Sequence, residues 1–93
     1  DEALKGVISR KDLLQAAMGG KDLTAIPVGV IMTRMPKIIY CSENDSIIEA
    51  AEKIIENEVD CLPVVINLPS GKIKAIGRIS KTNITKVLLE ISR

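Results

Sequence analysis

Residues 6–14 read Gly-Val-Ile-Ser-Arg-Lys-Asp-Leu-Leu, and residues 77–85 read Gly-Arg-Ile-Ser-Lys-Thr-Asn-Ile-Thr. At an offset of 71 residues, Gly6, Ile8 and Ser9 return as Gly77, Ile79 and Ser80. Arg10, Asp12 and Leu13 return as Lys81, Asn83 and Ile84. Six positions of like chemistry within eight mark a duplicated unit, and each copy must adopt one local structure.

That structure reads as a strand running into a helix. In the second copy Ile73, Ala75, Gly77 and Ile79 alternate with Lys72, Lys74, Ile76 and Arg78, which is strand periodicity. From Ser80 the period changes, and Ile84, Val87, Leu88 and Ile91 fall on one helical stripe. Ser80 is a natural N-cap with Asn83 three residues on. In the first copy Ser9 is the cap, Leu13, Ala16 and Ala17 form the stripe, and Gly19-Gly20 ends the helix.

Between the copies, residues 21–36 read as an irregular linker broken by Pro27, Gly29 and Pro36. Lys37 to Cys41 reads as a strand, Ser42-x-x-Asp45 as a capping box, and Ile47, Ala50, Ala51, Ile54 and Ile55 as a helix to about Glu58. Pro63 to Asn67 is a second strand, and Pro69-Ser70-Gly71 turns it into a third, 72–79. The fold class is therefore α/β (α+β): a β-α-β-β-α unit over 37–93, with a three-stranded sheet and two helices, preceded by a β-α tail over 1–20. Applying the offset to Ile38 puts about 34 residues of the earlier copy upstream of Asp1.

Composition narrows the function. With no His, neither a Ser-His nor a Cys-His catalytic pair can be built, and Cys41 and Cys61 without a third ligand make a poor metal site. Both cysteines read as buried small hydrophobes in a reduced, cytoplasmic protein. A net charge of +1 and a single aromatic, Tyr40, argue against nucleic-acid contact by this segment, and no apolar run is long enough for a membrane span. The expectation is a non-enzymatic module with no catalytic residue and no metal.

The strand-to-helix junctions are the candidate site. A helix N-terminus presents unpaired N–H groups and positive dipole charge to a phosphate. Ser9 and Ser80 add hydroxyls there, and Asp12 and Asn83 sit one turn in, suited to ribose hydroxyls. From local spacing alone the same residues read first as ordinary caps. Residues 43–60 carry seven acidic side chains against Lys53 alone, whereas residues 61–89 carry five basic ones and no acid. Arg78 and Lys81 stand closest to Ser80, while Lys72 and Lys74 also read as solvated residues of a sheet edge.

The order β-α-β-β-α with Gly-x-Ile-Ser-x-x-Asp/Asn at each junction resembles the CBS motif, two of which pair as a Bateman module. With Ile26-Pro-Val-Gly-Val-Ile-Met-Thr-Arg-Met-Pro added, the chain is most similar to the CBS region of the CcpN-type bacterial repressors of gluconeogenic genes. The resemblance implies a regulatory module that binds an adenine nucleotide (AMP, ADP or ATP), forms a homodimer and controls a repressor whose DNA-binding part lies elsewhere. It also implies that Ser9 and Ser80 contact phosphate, that Asp12 and Asn83 contact ribose, and that Arg34, Ile38, Leu62, Pro63 and Val64 wall the base pocket. As residues, Ile38 and Val64 read first as core, which needs no ligand. Asn83 departs from the motif's Asp, offering one acceptor oxygen and a donor amide where a carboxylate would accept twice. The alternative is an interaction module that dimerises without a ligand.

Overall fold

The computed structural model describes residues 3–20 and 22–92. They divide into two compact units, residues 5–38 and residues 3–4 with 39–92.

In the smaller unit, β1 (Gly6–Val7) pairs antiparallel with β2 (Thr33–Arg34), matching Gly6 to Arg34 and Val7 to Thr33. A side chain at position 6 would run into the Met32 thioether, so glycine permits this close approach. α1 (Arg10–Met18) follows β1, begins on Ser9 and buries Ala16. Gly19 closes it, its N–H donating to the Gln15 carbonyl at 3.0 Å, and Gly20 follows at φ 77°. The linker expected to be irregular holds α2 (Val28–Ile31), a single turn, as well as β2. Pro27 fits the entry to that turn because its fixed φ suits the position and its missing N–H costs nothing there.

The larger unit has sheet order β3-β4-β5, from Cys41–Ser42, Cys61–Asn67 and Ile73–Ser80, with helices α3 (Ile47–Asn57) and α4 (Lys81–Ser92). β3 pairs parallel to β4, as a strand-helix-strand crossover requires, and β4 and β5 form an antiparallel hairpin. Gly71 takes φ 86° at the hairpin turn, a conformation open to glycine, and donates its N–H to the Leu68 carbonyl at 2.9 Å. Leu62, with 0% of its surface exposed, centres a core with Cys41, Ala50, Ile54 and Ile84. Leu4 donates its N–H to the Ile73 carbonyl at 2.7 Å on β5.

Five expectations need correction. The strand read over Lys37–Cys41 is confined to Cys41–Ser42, because the Lys37 N–H is used in a turn to the Arg34 carbonyl at 2.8 Å. Ser42 does not cap α3. It belongs to β3, its N–H is held by Asp45 Oδ2 at 3.0 Å, and Ser46 caps instead, accepting from the Glu49 N–H at 3.0 Å. The alternation along β5 breaks at Ile76: Leu62 faces Ile79 and Val64 faces Gly77, but Val65 faces Ala75. That one-residue bulge puts Ile73 and Ala75 on the opposite face from Gly77 and Ile79. Cys61 is exposed rather than buried, whereas Cys41 lies in the core. The α4 stripe is also only partly used, since Ile84 is buried but Leu88 and Ile91 remain exposed.

Candidate functional site

The duplicated sequence produces a duplicated hydrogen-bond pattern. At the first junction the Asp12 N–H donates to Ser9 Oγ at 3.2 Å, and the Ser9 N–H donates to Asp12 Oδ2 at 2.9 Å. At the second, the Asn83 N–H donates to Ser80 Oγ at 3.1 Å and the Ser80 N–H to Asn83 Oδ1 at 3.0 Å. Each pair is a reciprocal capping box, satisfying two backbone donors that the helix start would leave orphaned. The second box has an additional bond, from the Ser80 hydroxyl to Asn83 Oδ1 at 2.8 Å. The capping reading of these four residues thus holds.

β5 runs into α4 without a loop, so Ser80 is both the last strand residue and the cap. The hairpin register then sets its neighbours: Cys61 lies opposite Ser80, Leu62 opposite Ile79, Pro63 opposite Arg78 and Val64 opposite Gly77. Directly paired residues share a sheet face, so Arg78, Pro63, Ser80 and Cys61 project to one side and Leu62, Val64 and Ile79 to the other. The second side is the core side. Leu62 can offer a ligand only its backbone, and Val64 packs against the core cluster. Arg78, Lys81 and Asn83 are exposed.

Ser9, Asp12, Arg34 and Ile38 belong to the smaller unit. Asp12 lines an open cleft of about 250 Å³ with Gln15 and Ala16 of α1 and Val30 and Ile31. Arg34 is directed to its own loop, Nη2 donating to the Gly29 carbonyl at 2.6 Å. Ile38 is buried, which supports its reading as core.

Reasoning from sequence missed Asp60. Its carbonyl accepts the Lys81 N–H at 2.9 Å, and its carboxylate Oδ1 lies 3.8 Å from Lys81 Nζ. The signal was present as an acid immediately before the strand that pairs with Ser80, but it was merged into the acidic segment as a whole. Gln15 was missed too, because a polar residue on an exposed helical face carries no mark of its own. Among the described residues no group of three or more His, Cys, Asp or Glu side chains could hold a metal ion. No helix among them is long and apolar enough to cross a membrane.

A family model described as the CBS domain matches residues 22–90. The chain is 47% identical over 92 residues to the transcriptional repressor CcpN of Bacillus subtilis (strain 168), spanning 99% of this chain and 43% of that protein. Among solved structures it is similar to a protein with CBS domains from Burkholderia ambifaria MC40-6, with TM-score 0.77 and 25% identity. That likeness covers 99% of this chain and 63% of the other. It is similar also to CBSX2 in complex with AMP, with TM-score 0.72 and 29% identity over 99% of this chain and 67% of that one. The chain therefore spans under half the length of the curated relative.

Proposed function

We propose a function from one premise: the chain belongs to the CBS domain family. It is the regulatory part of a bacterial transcriptional repressor, and it senses an adenine nucleotide rather than catalysing a reaction. The observation that carries this reading is the Ser80 junction, where a strand delivers a hydroxyl, a helix start, Asn83 and two exposed cations, Arg78 and Lys81, to one place. Such a place suits a phosphate with a ribose beside it. The AMP held by CBSX2 and the 47% identity to CcpN support the ligand class and the setting.

Ser80 holds phosphate, Asn83 holds a ribose hydroxyl, and Arg78 and Lys81 supply countercharge. Pro63, with the Leu62 backbone, belongs to the wall of the base pocket, and Val64 packs the core behind it. Ser9 and Asp12, on the same pattern, belong to a first-motif site beside Arg34, whose strand pairs with the one that leads to Ser9, while Ile38 serves as core. The module works as a homodimer in the cytoplasm, and DNA contact is made by other parts of the repressor. Calorimetric titration with AMP, ADP and ATP tests this. Saturable binding at micromolar to millimolar nucleotide is the expected result, and heats indistinguishable from dilution refute it.

A second reading is a dimerising module without a ligand. It is favoured by one observation: both capping boxes are complete on their own, with each Ser hydroxyl oxygen, Asp12 Oδ2 and Asn83 Oδ1 already serving the helix start.

A further inference from the structure

We infer that Asp60 discriminates between ligands of different charge at the Ser80 junction, weakening the more highly charged ligand more. The inference rests on the nucleotide-binding reading of that junction and adds to it the residue that sets phosphate preference. Asp60 meets the start of α4 through both its backbone and its side chain. Its backbone carbonyl receives the first amide of α4, from Lys81, at 2.9 Å. Its carboxylate stands 3.8 Å from the Lys81 ammonium. The carbonyl thus takes one of the helix-start N–H groups that an anion could otherwise receive. The Asn83 amide is taken as well, by Ser80 Oγ at 3.1 Å. A phosphate that meets Ser80 and the Lys81 side chain lies within the field of the Asp60 carboxylate.

The consequence follows from the linearity of Coulomb's law in ligand charge. Asp60 offsets part of the Lys81 countercharge and repels each phosphate in turn. A monophosphate carries about two negative charges and a triphosphate about four near neutral pH. The free energy lost to Asp60 is then larger for the triphosphate, and the fold-change for ATP reaches about the square of that for AMP when the added phosphates lie as near Asp60 as the first. Salt must shrink both, because Asp60 and Lys81 are solvent-exposed.

The test is titration of the full chain and its Asp60→Asn variant with AMP and ATP at low and at high salt. Asp60→Asn keeps the carbonyl bond to Lys81 and changes only an exposed side chain, and Asp60→Ser serves as the second variant. The expected result is tightening by about three-fold for AMP and by more than that, up to about ten-fold, for ATP at low salt, with the gap closing at high salt. Unchanged affinities, or equal shifts for the two nucleotides, overturn the role of Asp60 while leaving the nucleotide site standing. Failure of the unsubstituted chain to bind either nucleotide overturns both.

Discussion

Ser80 and Asn83 hold each other through three hydrogen bonds: Asn83 N–H to Ser80 Oγ, Ser80 N–H to Asn83 Oδ1, and Ser80 hydroxyl to Asn83 Oδ1. The Asn83 side-chain oxygen accepts twice, so its NH₂ group is the part left to turn toward a ligand. A ligand that takes the Ser80 hydroxyl must exchange one internal bond for its own. Capping and binding are therefore coupled in the same two residues.

Ser80→Ala separates the two roles. Loss of the cap should lower stability by about 1 kcal/mol, read in chemical denaturation. Loss of the hydroxyl should weaken AMP by about 1–2 kcal/mol, read in titration. A stability loss with unchanged affinity would leave Ser80 a cap and nothing more.

Asn83→Asp installs the residue that the first junction already carries at Asp12. The box should survive, as it does there, and a carboxylate can accept from both ribose hydroxyls. AMP should bind about three-fold to ten-fold more tightly, while 2′,3′-dideoxy-AMP should gain nothing. An equal effect on both nucleotides would remove Asn83 from the ribose.

The two thiols should differ in alkylation by iodoacetamide. Cys61 is exposed and should react, whereas Cys41 is buried, and desolvation, its largest influence, pushes its thiol above the ordinary 9.0. Cys61 lies opposite Ser80 on the same sheet face, so saturating AMP should slow its modification. Peptide mapping that finds Cys41 modified first would contradict the core assignment.

Asp45 gives a pH signature. The Ser42 N–H, with Lys53 adding to it, holds the Asp45 carboxyl below its ordinary 3.8. Its contribution to stability is present in full above that value and is lost as pH falls through the lower folded value. Asp45→Asn should therefore destabilise the chain at pH 7 and flatten the fall in stability below about pH 4. A parallel acid limb in both proteins would contradict this.

How much of this was legible in the sequence depended on range. Both capping boxes are local, so Ser9–Asp12 and Ser80–Asn83 could be read directly, as could the turn at Gly71. The start of α3 could not. Ser42-x-x-Asp45 and Ser46-x-x-Glu49 spell the same signal, and what decides is the parallel pairing of Ser42 with Val65, a contact made across the helix between them. The bulge at Ile76 was hidden for a similar reason, because an unpaired isoleucine still fits an alternating pattern. Cys61 misled because a thiol at the end of a strand is buried or exposed according to what covers it. Asp60 is a placement by strand register, invisible until Cys61 is set opposite Ser80.

The most direct test of the central claim is an amide NMR titration with AMP. The Ser80 junction is expected to respond first, with saturable shifts at Ser80, Lys81, Thr82 and Asn83 that yield one dissociation constant and weaken together in Ser80→Ala. Amides of this junction that stay in place at millimolar AMP, while others move or none do, would contradict it.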